Sequence, residues 1–160
     1  MAEYITNDEA IAIADSLIPE FHPRLIGLKI AHLLNVKQPQ KPSKKPKKQP
    51  RQGKKITMAK TSKVSAKMQA LAEQDIKFVI EYDSLIWDAL PEDKKTALVD
   101  HELCHAGNDA DGCYLVNHSV EEFREILDRR GFWKSDVLQF AETCESVYHS
   151  QENSNEQSGN

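Results

Sequence analysis

No apolar run in this chain approaches the length of a membrane span. The first residues, Met1-Ala2-Glu3-Tyr4, have neither the basic nor the apolar region of a secretory signal, so a cytoplasmic protein is expected. Cysteine is scarce as well. Cys104, Cys113 and Cys144 are odd in number and spaced unlike a disulfide framework, which fits plain thiols in a reducing compartment. There is no internal repeat, and 160 residues leave no room for a second enzyme domain. One domain over residues 1–150 is expected, followed by a disordered polar tail at 151–160.

Acid is missing from residues 37–55, which hold nine of the chain's 21 basic residues. The rest of the chain carries 12 basic against 25 acidic residues, a balance of −13 where the whole is −4. This Lys- and Pro-rich stretch has almost no apolar residue to bury and is expected to be an exposed, disordered insertion. Lys41, Lys44, Lys45, Lys47, Lys48, Arg51, Lys54 and Lys55 could neutralise phosphates of a nucleic acid. With no aromatic between them, such contact would be blind to sequence. The alternatives are a solvated insertion that keeps the domain soluble, or docking to an acidic partner.

What is present is His101-Glu102-Leu103-Cys104-His105. On a helix, side chains at i and i+4 share a face, so both imidazoles can reach one metal ion at about 2.0–2.1 Å. Glu102, offset by one residue, points past the metal toward the water it would hold. Zinc lowers the pKa of such a water and a carboxylate there takes its proton, so the pattern points to Zn2+ and to peptide hydrolysis. The setting is favourable. Pro91, Glu92 and Asp93 read as a helix start, Val99, Leu103 and Ala106 as a buried face, and Gly107-Asn108 as a left-handed stop. Cys104 faces away from both histidines and reads as structural. The competing reading is a solvent-facing histidine pair on an ordinary amphipathic helix.

Around the motif, Thr6-Asn7-Asp8-Glu9 resembles a capping box ahead of a helix over 7–18, ended by Pro19. Residues 24–34 are read as a strand in preference to a second helix, 56–59 as a strand and 67–72 as a helical turn. Residues 76–83 form the clearest strand, placed nearest the cleft. A brief helix over 84–90 holds Trp87 in the core, and a short strand is expected at 113–116. Ser119 starts a helix to about 130, and Ser135 starts another to about 148. His22, His32 and His149 have no ligand spacing around them and read as structural or surface residues.

Several segments together resemble the family known as the putative phage metallopeptidases, itself distantly similar to SprT-like proteases. They are Phe21-His22-Pro23, Trp87-Asp88, Asp100 to His105 in the motif, His118-Ser119-Val120-Glu121-Glu122-Phe123 and Gly131-Phe132-Trp133. Ser119 stands where the family usually has Asp, and both can cap a helix. The resemblance implies an α+β fold of minimal zincin type, with a small mixed or antiparallel sheet packed on the motif helix and further helices after it. It also implies a phage or prophage origin, and hence a host cytoplasm.

A catalytic zinc needs a third protein ligand besides His101 and His105. His118 lies just before a helix start, where a loop can return an imidazole to the metal. Glu121 or Glu122 would give an acidic third ligand, and Asp111 stands at the third position of a longer histidine motif. Asp111-Gly112 also reads as a turn, and Glu122 as the far end of a capping box from Ser119. The leading function is a zinc metallopeptidase acting on an intracellular protein, Glu102 being the base. Its rival is a non-catalytic phage factor that grips nucleic acid or a host protein and keeps zinc as a staple.

Overall fold

The computed structural model describes residues 2–36, 57–117 and 124–130. Strand β1 (Glu3–Thr6) leads into helix α1 (Asp8–Phe21), whose cap is Asn7; the Asn7 side chain accepts from the Ala10 N–H at 3.1 Å. Glu9 therefore does not close the expected capping box. It accepts from Trp87 Nε1 at 3.0 Å and from Lys95 Nζ at 2.9 Å, tying α1 to two later helices. Nor does Pro19 end α1, which runs on to Phe21. Pro19 is exposed, so water can take the carbonyl that proline, lacking an N–H, leaves unbonded.

After a 3-10 turn at Pro23–Leu25 come β2 (Lys29–Val36), β3 (Ala59–Lys63), α2 (Ala66–Leu71) and β4 (Ile76–Asp83). The sheet order is β1-β2-β4-β3; β2 and β4 run parallel, and both outer pairs are antiparallel. The fold is thus α+β with a small mixed sheet. β4, expected beside the cleft, is an inner strand, and the edge belongs to β3, which lies further along the chain than the predicted 56–59. Its polar sequence hides it, since pairing with β4 sets its register and apolar alternation does not.

Phe78, Ile80 and Tyr82 alternate along β4 and are fully buried. Against this face pack α1, α3 (Ser84–Ala89) and α4 (Glu92–Cys104). Trp87 is buried on α3 as expected, with the Lys95 ammonium 5.2 Å from its ring centre. In the same core, His32 Nδ1 lies 3.0 Å from the Tyr82 hydroxyl, and burial pulls the imidazole down to about 4.

Helix α4 ends at Cys104, with His105 as its cap. Gly107 is no left-handed stop. Ala106–Asp109 is strand β5, which turns back through a positive-φ Gly112 into β6 (Gly112–Leu115). Gly107 is small for another reason: a Cβ there would collide with the ring of Tyr114, its cross-strand partner. The last described element, α5 (Arg124–Arg130), docks on α4 through Asp100. Among the described residues no helix is long and apolar enough to cross a membrane. The whole basic stretch 37–55, the start of the helix at Ser119, the helix from Ser135, His149 and the tail 151–160 lie outside the described residues.

Asp100 is fully buried and accepts from His22 Nε2 at 2.7 Å, Arg129 Nη2 at 2.7 Å and Arg129 Nε at 3.0 Å. Burial alone would push its carboxyl up, but the His22 hydrogen bond and the Arg129 guanidinium hold it at about 2. Arg129→Met strips the bidentate partner from a buried carboxylate and should cost about 3 kcal/mol in urea denaturation. The neutral His32 has its own signature. The unfolded imidazole takes a proton near pH 6.5 while the folded one waits until about 4. Stability should therefore fall as pH drops through that window, by up to about 1.4 kcal/mol per unit. A His32→Gln variant should lack that slope, as unfolding measured at several pH values would show.

Candidate metal centre

Ala97 to Cys104 of α4 are buried without a break, including three ionisable neighbours, Asp100, His101 and Glu102. A helix buried all round leaves no face for water, so each polar side chain needs a partner from another element. They divide by direction. Asp100 points back toward His22 and α5, while His101 and Glu102 join His105 in a group whose ligand atoms lie within 4.8 Å of one another. The two imidazoles meet edge to face, their ring centres 5.2 Å apart. The expected i, i+4 geometry is therefore present, with His101 buried and His105 half-buried, not a solvent-facing pair.

His105 is held twice by one residue. Its carbonyl accepts from the Val116 N–H at 2.8 Å, and its Nδ1 lies 2.7 Å from the Val116 carbonyl oxygen. A carbonyl can only accept, so Nδ1 carries the hydrogen and the neutral ring keeps its lone pair on Nε2. That is the tautomer and restraint that a metal-binding histidine needs. Glu102 is fixed from the sheet edge: the Thr61 hydroxyl lies 2.6 Å from Glu102 Oε2 and 3.0 Å from the Glu102 carbonyl oxygen. The charge of Glu102 in turn raises the pKa of Tyr82 beneath it, after the larger effect of burial.

A second group of possible donors, His22, Asp100 and Cys104, lies behind α4. Its chemistry does not suit a cation. Arg24 Nη1 approaches His22 Nδ1 at 3.3 Å, so that nitrogen accepts and Nε2 donates to Asp100. Asp100 is occupied by Arg129 and, at 3.4 Å, by Arg130. Burial, aided by the charges of Asp100 and Glu125, pushes the Cys104 thiol up to about 12, so it stays protonated. Three arginines surround this group, and it fits a structural clasp. The front group, with two imidazoles, a carboxylate and one lone pair already aimed, fits a divalent metal.

Sequence reasoning located His101, Glu102 and His105, which the helix brings together. Asp111 joins neither group: it sits in the exposed turn between β5 and β6, its N–H donating to Asp109 Oδ1 at 2.9 Å. His118, Glu121 and Glu122 lie outside the described residues. Missed from the sequence were Thr61, the Val116 carbonyl and the role of His22. Only His22 left a trace, in the Phe21-His22-Pro23 segment; the other two depend on strand placement that no local pattern encodes.

A family model described as "Putative phage metallopeptidase" matches residues 2–146, nearly the whole chain. No curated protein and no solved structure matches it.

Proposed function

The chain belongs to the putative phage metallopeptidase family, and on that footing we propose that it is a zinc-dependent peptidase of minimal zincin type, with His101 and His105 as ligands and Glu102 as general base. The observation that carries the reading is the buried group itself. A carboxylate beside two imidazoles on one helix face is what hydrolysis requires, whereas a structural staple closes its coordination with a fourth protein ligand and has no use for a base. Zinc bound there would supply a Lewis acid for the water and the scissile carbonyl. The chain's own residues do the rest. Glu102 takes a proton from the attacking water on the carboxylate oxygen facing the histidines and returns it to the leaving amine. Val116 fixes the orientation of the His105 ring through Nδ1.

For the third ligand we propose His118. Val116 is clamped to His105 by two contacts to its backbone, so the chain enters residue 118 only two residues after a point anchored beside the site. A peptide substrate would bind as an added strand. Among the described residues the edge strand beside the site is β3, since β4 is paired on both sides.

Purified protein should contain about one zinc per chain, and Glu102→Gln should retain the metal while losing cleavage. Comparing protein termini in cells expressing wild type and Glu102→Gln should reveal termini made only by the wild type. Identical termini in both, or no bound metal after gentle purification, would defeat the reading. His118→Ala should weaken zinc binding by about one to two orders of magnitude in a chelator competition; unchanged affinity would remove His118 from the ligand set.

A further inference from the structure

The strand bordering the site does more than mark its edge. β3 pairs only with β4 among the described residues. Its hydrogen bonds identify which residues face which way. Asp83 N–H donates to the Met58 carbonyl at 2.9 Å and Val64 N–H to the Lys77 carbonyl at 3.0 Å, so the even-numbered positions exchange bonds with β4. Alternation along an antiparallel pair then turns the backbone N–H and C=O of Ala59, Thr61 and Lys63 away from β4, to the edge with which no described strand pairs. Thr61 is the middle of these three. Opposite buried Ile80, it sends its side chain to the α4 side of the sheet, where the hydroxyl meets Glu102.

We infer that Thr61 is a positioning residue that joins substrate docking to the general base, an inference that rests on the peptidase reading above. Its backbone offers the central pairing point for an extended peptide, and its hydroxyl holds Glu102 Oε2. A separation of 2.6 Å falls within the about 2.5–2.7 Å of a hydroxyl donating to an ionised carboxylate. Thr61 has one hydroxyl proton, and the short contact directs it to the carboxylate, which fixes the side-chain rotation of Glu102. The other carboxylate oxygen is left for the attacking water. A peptide pulled onto β3 therefore lands on the residue that aims the base, so the scissile bond and the proton acceptor are registered to one strand.

Thr61→Val keeps the shape and the backbone pairing and removes the hydroxyl; Thr61→Ser keeps the hydroxyl. Purified zinc-loaded proteins are incubated with a cell lysate, and the termini that depend on Glu102 are followed over time. Thr61→Val should form them about 10- to 100-fold more slowly, with zinc content and melting temperature unchanged, while Thr61→Ser stays within about 2-fold of wild type. On a peptide spanning a site found this way, the loss should fall on kcat and leave KM, since docking to the backbone survives. Wild-type rates for Thr61→Val would overturn the inference. So would equal loss in both variants together with early melting or lost zinc, which would make Thr61 a packing residue only. If the wild type makes no termini that Glu102→Gln lacks, the peptidase reading fails first and takes this inference with it.

Discussion

Three consecutive ionisable side chains buried in one helix set the terms for the rest of the structure. An unpaired carboxylate or imidazole costs several kcal/mol in such a place, so the fold must deliver a partner to each. Asp100 draws in His22 from the end of α1 and Arg129 from α5. Glu102 draws in Thr61 from the sheet edge, and His105, just past the helix end, draws in the β6 hairpin through Val116. The elements that surround α4 are thus those that satisfy its polar residues. The same contacts fix Glu102 and His105 in one geometry beside His101.

Arg24 shows how the two sides of α4 are kept apart. Its guanidinium donates to the carbonyls of Leu103 at 3.1 Å and Ala106 at 2.9 Å, where α4 runs out and its dipole leaves partial negative charge. It also sets the His22 tautomer, and its own carbonyl accepts from Asn108 at 3.1 Å. One arginine therefore finishes the helix, anchors the β5 strand and keeps the rear group cationic. Positive charge collects behind the helix and the lone pair of His105 is aimed in front of it.

How much of this was legible in the sequence follows from the range of each interaction. The pair His101 and His105 is fixed by four residues of helix, and β4 announces itself by buried alternation, so both could be read directly. Helix α1 was legible from its start but not its end, because an exposed proline in the last turns is tolerated when Phe21 beyond it packs under the Arg129 guanidinium, 4.4 Å from the ring centre. β3 was misplaced because its inward side chain, Thr61, answers a polar group and not an apolar core. Gly107 was misread for a related reason: its smallness serves the Tyr114 ring across the hairpin, a partner seven residues away that only strand pairing reveals.

The sheet order also bears on the length of the chain between β2 and β3. Val36 ends β2 and Ala59 begins β3 at the same end of the sheet, flanking β4, so the two points are about two strand spacings, or roughly 10 Å, apart. A handful of residues would close that gap. Loop-closure entropy grows only logarithmically, about 0.6 kcal/mol for each doubling of length, so lengthening that connection several-fold burdens folding little more than a short turn would. A connection much longer than the minimum is therefore compatible with these strand positions. The dense positive charge of this chain lies in the sequence between these two strands.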